Sequence, residues 1–325
     1  MPAETKSKTR ELVAILVTLS ATLGIYAIIQ STWVQDWWKG LNYDESATIS
    51  AIREDLELTD TARHIFLATQ PALEGAEDFN EHCDSHRTDI SLLGCYTGGK
   101  MYIYAVDLPE LKDSNKVTAA HELLHAAWAR MGKSERAEVE RLLREFQRAH
   151  PDWTEAELTL YDESQKLEEL YTRVGTKRRE IPAELEAHYR RYFQDRQKIV
   201  EFYESYQTPF DELLEENKIL QAKVAKLNQE LESERASYFE RLERLEAEIE
   251  EFNQCADTEG CFRSTAEFQQ RRNHLETERN IINTIRTELN QKIDENNAAV
   301  AKYEANLKKL GKLNAALNSN IEEKI

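Results

Sequence analysis

The residues best suited to chemistry are two histidines and a glutamate in the run His121-Glu122-Leu123-Leu124-His125. In an α-helix, residues four apart lie on one face, so both imidazoles can reach a single metal ion. Glu122 projects beside them, where its carboxylate can take a proton from a polarised water molecule. Zinc is the expected metal, because it lowers the pKa of a bound water to about 7. The run therefore predicts a hydrolytic zinc site, although such a short pattern is weak by itself.

The residues around this run favour a buried helix. Val117, Leu124 and Trp128 form an apolar stripe, and the alanines between them permit close packing. Unpaired polar groups are costly in a protein core, so two histidines and a glutamate on such a helix require a function. A strand is predicted at 101–106, shortly before the helix. An edge strand near the site would hold an extended peptide by strand pairing.

A catalytic zinc ion needs a third protein ligand and one open position. No further histidine follows His125 within the helix, so the third ligand must come from elsewhere in the chain. The segment 167–175 is the best candidate, because its apolar residues recur at helical spacing and predict a helix with a buried face. Glu168 and Glu169 both lie on this predicted helix.

Over two segments, TAAHELLHA and EELYTRVGT, the sequence resembles the gluzincin-type HExxH zinc metallopeptidases. The matching segments lie within residues 100–195. The resemblance implies an α+β zincin-like catalytic domain that is mostly helical. It also implies that His121 and His125 bind Zn²⁺, that Glu122 is the general base and that Glu169 is the third ligand.

The second segment departs from the family pattern. Many relatives have Asn-Glu at this point and an acidic residue one turn later, whereas this chain has Glu168-Glu169 and then Arg173. The residue that orients the ligands is therefore unidentified, and Glu163 and Glu168 stay open as alternative ligands. The residue that stabilises an oxyanion is also open, with three candidates: Tyr161, Tyr171 and His188.

Two function classes fit these residues. The first is a zinc endopeptidase that acts on a protein or peptide substrate outside the cytoplasm. The alternative is a catalytically inactive zincin-fold scaffold or adaptor whose coiled-coil hairpin binds an envelope partner. The intact His121, Glu122 and His125 favour the enzyme. A net charge of -18 disfavours nucleic acid as a partner, because binding to phosphate relies on an excess of Lys and Arg.

The elements that must position the site are mostly helices. Glycine, proline and capping residues predict their ends. One predicted helix runs from about Asn115 to Met131, and a second starts after Ser134 and ends before Pro151. A third starts near Thr154, and another follows Pro182 and runs to Tyr206. A hairpin of strands at 92–96 and 101–106 is predicted around Gly98-Gly99.

An uncharged run near the N-terminus predicts one transmembrane helix at 12–30. Residues 12–29, which contain no charge, would span about 27 Å as a helix of 18 residues. Basic residues within 1–11 place that end in the cytoplasm, which predicts a single-pass protein of the cell membrane with an extracytoplasmic ectodomain. The alternative is a cleaved signal peptide.

The remaining chain is predicted to form a catalytic domain at 31–209 and a long antiparallel coiled-coil hairpin at 210–325. Apolar residues in the tail recur at near-heptad spacing on both sides of a turn at 255–261. The alternative is one continuous rod that dimerises between chains. The four cysteines fall into two local pairs, which predict disulfides Cys83–Cys95 and Cys255–Cys261.

Overall fold

The computed structural model describes residues 32–83 and 92–320. Eleven α-helices and three strands are named here in chain order. They are α1 Thr32–Leu41, α2 Ala47–Asp55, α3 Asp60–Ala68, β1 Ala72–Glu74, α4 Ala76–His82, β2 Gly94–Thr97, β3 Lys100–Tyr104, α5 Ser114–Arg130, α6 Lys133–Ala149, α7 Pro151–Leu158, α8 Lys166–Lys177, α9 Ala183–Tyr189, α10 Arg196–Ala256 and α11 Thr265–Leu317. A short 3₁₀ turn, Pro109–Leu111, precedes α5.

The three strands form one small sheet in the order β1-β3-β2. Strands β2 and β3 are antiparallel and are joined by Gly98 and Gly99, whose φ angles of 59° and 78° suit a two-residue hairpin turn. The predicted hairpin is therefore confirmed. Strand β1 pairs with β3 in parallel and was not predicted. The predicted strand at 101–106 thus lies in the centre of the sheet, and β2 forms one of its edges.

Helix α5 is the centre of the hydrophobic core. It packs against α2, α3, α8, β2 and β3. Four of its alanines are buried and let these neighbours approach closely: Ala119, Ala120, Ala126 and Ala127. Larger side chains from the surrounding elements, such as Phe66 and Tyr171, fill the space around it.

Two predicted helices, now α5 and α6, are confirmed. The other two predictions were wrong in their bounds. Helix α7 begins at Pro151 rather than near Thr154, because proline suits the first turn of a helix and Thr154 is buried inside it. The segment from Pro182 to Tyr206 contains a break between α9 and α10, where Phe193 forms a bridge with Leu58.

The chain divides into two compact units. The first contains the described residues up to Pro209 together with those from Leu313 onward. The last described residues are held there by hydrogen bonds: Asn80 Nδ2 donates to Ser319 O at 2.8 Å, and Ser319 Oγ donates to Leu92 O at 3.0 Å. The disulfide Cys83–Cys95 also lies in this unit and is confirmed.

The second unit, Phe210–Lys312, is a hairpin of two long helices. Pairs across it show that the arms are antiparallel, since Glu216 accepts from Asn306, whereas Arg241 donates to Glu278. Leucines and isoleucines of both arms are buried along the seam, which supports the coiled-coil interpretation. The confirmed disulfide Cys255–Cys261 lies at the turn.

The predicted fold class and localisation need correction. The described structure is predominantly helical, with a three-stranded sheet and one very long helix, α10, rather than an α+β zincin-like domain. Helix α10 runs through Pro209, where a new domain was expected. Among residues 32–83 and 92–320, no helix combines the length and apolar character needed to cross a bilayer. The single-pass localisation is corrected accordingly, and the predicted segment 12–30 lies outside the described residues.

Candidate metal centre

Two glycines bring three elements together around the HExxH run. A Cβ atom at Gly94 of β2 would lie 2.5 Å from Thr118 Cγ2 and 2.9 Å from Glu122 Oε1. A Cβ atom at Gly175 of α8 would lie 2.6 Å from Leu124 Cδ1. Real Cβ contacts are essentially never this short, so a larger residue at either position would force these neighbouring side chains to shift.

His121, His125 and Glu169 converge between α5 and α8. Among the described residues they form the one group of at least three His, Cys, Asp or Glu side chains with ligand atoms close enough to hold a metal ion. The two Nε2 atoms are 3.2 Å apart, His125 Nε2 is 3.4 Å from Glu169 Oε1, and His121 Nε2 is 3.6 Å from Glu169 Oε2. The three side chains could therefore bind one metal ion.

These separations fit a small tetrahedral ion. Ligand atoms about 2.0–2.2 Å from a tetrahedral metal lie about 3.3–3.6 Å from one another. A further observation agrees with a role as a ligand, because Glu169 Oε2 is buried and makes no hydrogen bond. A buried carboxylate oxygen without a hydrogen bond is costly in a purely structural role.

Glu168 lies on the other side of the same imidazole. Its Oε1 atom is 2.8 Å from His125 Nδ1, so one ring nitrogen faces Glu168 and the other faces Glu169. A hydrogen bond from Nδ1 to a carboxylate fixes the tautomer that leaves the Nε2 lone pair free for a metal. Glu168 therefore has the position of an orienting residue rather than of a ligand.

The pKa values of the three clustered side chains shift in different directions. Burial holds the pKa of His121 well below its usual value. Burial opposes protonation of His125 too, but the carboxylates of Glu168 and Glu169 outweigh it and raise its pKa to about 10. Burial would raise the pKa of Glu169, yet the two histidines and Arg173 lower it to about 2. In the metal-free cluster His125 is therefore protonated on both ring nitrogens, of which Nδ1 faces Glu168 and Nε2 faces Glu169.

Glu122 is more deeply buried than the three clustered side chains. It is 4% exposed, and β2 covers it at Gly94. Burial raises its pKa to about 7, with a further contribution from the charges of Glu169 and Glu168. A carboxyl group with this pKa can both accept and return a proton near neutral pH.

The carboxylates of the site act electrostatically on the hydroxyl group of Tyr161. Its hydroxyl accepts a hydrogen bond from Arg173 Nη2 at 2.7 Å. Burial raises the pKa of Tyr161, and the charges of Glu169 and Glu122 add to this effect, so its hydroxyl lies within electrostatic reach of both carboxylates. In contrast, Tyr171 is fully buried and its hydroxyl lies 3.0 Å from His188 Nε2.

Two predicted alternatives are placed elsewhere by the structure. The Glu163 side chain is 88% exposed and pairs with Lys166, away from the histidines. Strand β3, at the predicted position of a peptide-binding edge, has neighbours on both sides. The roles of β2 and Glu168 were missed, although Gly94 and the adjacent pair of acidic residues were visible in the sequence.

Comparisons with known proteins give no support for a family. No protein-family model, no curated protein and no solved structure matches the chain. The functional argument therefore rests on the residues of the site.

Proposed function

We propose that this protein is a zinc-dependent enzyme that hydrolyses peptide bonds. The observation that supports the proposal is the convergence of His121, His125 and Glu169, with the buried Glu122 on the helix that supplies both histidines. Two imidazoles and one carboxylate form a ligand set that zinc uses in catalytic sites. A fourth position would remain for water or substrate.

Zinc is proposed on the chemistry of the ligand atoms. Imidazole nitrogen and carboxylate oxygen suit a borderline ion, whereas calcium and magnesium prefer oxygen ligands alone. When bound, zinc would acidify a water molecule and polarise the carbonyl group of the substrate. The protein residues would supply the remaining steps.

Glu122 would act as the general base. Its pKa of about 7 suits the removal of a proton from the attacking water and the later transfer of that proton to the leaving amine. Glu168 would hold the His125 ring in its ligand orientation. The Tyr161 hydroxyl is the candidate for stabilising negative charge on the substrate oxygen.

The substrate would be an extended peptide. Among the described residues, β2 pairs only with β3, which leaves the backbone groups of its other edge available. Since β2 crosses α5 at Glu122, a peptide added to this edge would pass the site by strand pairing. This arrangement favours an internal peptide bond as the point of cleavage.

Metal analysis gives the first test. Protein purified without chelator should contain about one zinc ion per chain, and His121→Ala should contain almost none. Elemental analysis measures both. A wild-type protein that neither retains nor takes up zinc would exclude the enzyme and favour the adaptor, for which exposed apolar residues of the hairpin such as Phe239 offer a binding surface.

Glu122→Gln gives the second test. The amide preserves the shape of the side chain but is not basic, so zinc should stay bound while cleavage of an unstructured polypeptide falls by at least about 100-fold. Glu163→Gln is the matched control, since Glu163 is exposed. Undiminished cleavage by Glu122→Gln would show that another group is the base.

A further inference from the structure

Arg173 lies one helical turn after Glu169 on α8, and its guanidinium faces the carboxylate. Arg173 Nε is 3.6 Å from Glu169 Oε2, the same separation as between His121 Nε2 and that oxygen. Arg173 Nε and Glu169 Oε2 are both buried, and neither makes a hydrogen bond. The Glu169 carboxylate thus lies between the histidines and a guanidinium group.

The guanidinium is held from its other side. Arg173 Nη2 donates to the Tyr161 hydroxyl at 2.7 Å, and Nη1 donates to Glu157 Oε2. Lys177 Nζ also donates to Glu157 Oε2, at 2.7 Å, which fixes that acceptor. Because a guanidinium is planar and its donors have fixed directions, these two contacts determine where Nε points.

The charges of this group balance. Arg173 and Lys177 supply two positive charges, and Glu157 and Glu169 supply two negative charges. Glu157 already accepts from both cations. The positive charge of Arg173 also faces Glu169. A neutral side chain at 173 would thus leave the Glu169 carboxylate with less electrostatic stabilisation.

We propose that Arg173 is a positioning residue that orients the Glu169 carboxylate toward His121 and His125 and links it to Tyr161. This inference rests on the proposed function, in which Glu169 is a metal ligand. Arg173 would act through Glu169, because the side chains that could hold a metal ion are His121, His125 and Glu169.

A purely structural role is the competing explanation, since the contact with Glu157 also joins α7 to α8. Arg130 provides a matched control. Its guanidinium pairs with the carboxylate of Asp36 and donates to the Tyr96 hydroxyl, and its side chain is 17% exposed compared with 15% for Arg173. Arg130→Gln therefore removes an equivalent set of contacts that does not include a ligand.

The experiment measures zinc affinity by chelator competition in the full-length chain, together with the visible spectrum of the Co²⁺-substituted protein. Arg173→Gln should weaken zinc binding by about 10–100-fold, the usual effect of removing an orienting group, and should alter the cobalt bands. Arg173→Lys, which keeps the charge but loses the fixed donor directions, should fall between this variant and wild type. Arg130→Gln should stay within about threefold of wild type with an unchanged spectrum.

The outcomes separate this inference from the proposed function. A wild-type protein that binds neither zinc nor cobalt overturns both. Wild-type binding with unchanged affinity and spectrum in Arg173→Gln overturns the positioning role alone, as does an equal loss in Arg130→Gln. If Arg173→Gln does not fold, Arg173→Lys decides the question by the same two measurements.

Discussion

Two adjacent glutamates, Glu168 and Glu169, face the two ring nitrogens of the His125 imidazole. Glu168 faces His125 Nδ1 at 2.8 Å, whereas Glu169 faces Nε2 at 3.4 Å. Successive residues on a helix point about 100° apart, so two adjacent side chains can reach around the same ring. This arrangement places the two carboxylates at different nitrogens of the ring despite their adjacency.

Substitution of each glutamate by glutamine should reveal that difference. Glu169→Gln should reduce zinc affinity more than either of the other two variants, because the charged ligand is lost. Glu168→Gln should cost about 10–100-fold, because only the orientation of His125 weakens. Glu163→Gln should have no effect, as its side chain is exposed. Chelator competition measures all three, and equal affinities would reject Glu169 as a ligand.

Metal binding should release one proton near neutral pH. In the metal-free site His125 has a pKa of about 10 and is protonated at pH 7, whereas the pKa of Glu169 is about 2 and that of His121 lies well below its usual value. Only His125 must then lose a proton, so affinity should rise about tenfold per pH unit between about pH 6.5 and 8. Calorimetry in buffers of different ionisation enthalpy counts the protons, and metal binding without proton release would contradict this distribution.

At the scale of elements, Gly175 determines how closely α8 approaches α5. Gly175→Ala would place a Cβ atom 2.6 Å from Leu124 Cδ1 and 2.8 Å from Tyr189 Cε1. Overpacking of this kind costs about 1–3 kcal/mol, which exceeds or cancels the gain of about 1 kcal/mol from the higher helix propensity of alanine. Thermal unfolding should therefore occur at a lower temperature, and zinc affinity should fall because α8 carries Glu169.

Gly311→Ala is the control for this prediction. Gly311 also lies in a helix, but nothing approaches its Cβ position within 4 Å. This variant should be stabilised by about 0.5–1 kcal/mol through helix propensity alone. Similar shifts in both variants would show that the α5–α8 contact tolerates a methyl group.

The sequence predicted those elements whose ends carry local signals. Helices α5 and α6 meet at Gly132, and the β2–β3 turn contains two glycines, so periodicity and turn residues were sufficient. Strand β1 has only three residues, and it forms through pairing with β3, which no local pattern reveals. A domain boundary was expected after Pro209, yet α10 continues through it. Contacts made by the rest of a long helix outweigh the cost of one proline, about 3 kcal/mol.

Residue types and their spacing predicted only part of the candidate site. The i, i+4 rule brought His121 and His125 together, and the resemblance selected Glu169. The roles proposed for Glu168 and Arg173 depend on which way each side chain points from α8. Those directions are seen only in the contacts of the folded chain, such as those of Glu168 with His125 and of Arg173 with Glu169.

At the scale of the whole molecule, the candidate site belongs to one unit. All of its residues lie between Gly94 and Lys177, within the unit that ends at Pro209 and resumes at Leu313. The return of the chain to the first unit at Leu313 matters for any truncation. Leu313 and Ser319 are buried, so ending the chain before the hairpin would also remove core residues of the first unit.

A symmetric internal deletion avoids that problem. Contacts such as Glu230 with Lys292 and Arg241 with Glu278 fix the register of the two antiparallel arms. Removal of 220–247 and 275–302 takes about four heptads from each arm, so the apolar seam and the disulfide-closed turn keep their phase. The shortened protein should fold and should retain the residues of the first unit unchanged.

This shortened protein should bind zinc and cleave a short unstructured peptide within about twofold of the full-length chain. The reason is that every proposed ligand, the base and the strand β2 lie in the first unit, and the hairpin supplies none of them. A chain truncated after Leu310 should instead unfold at a lower temperature, because it lacks the buried Leu313 and Ser319. Peptide cleavage, zinc content and thermal unfolding of both proteins check this. Loss of cleavage on shortening, with zinc and stability intact, would show that the hairpin takes part in substrate binding.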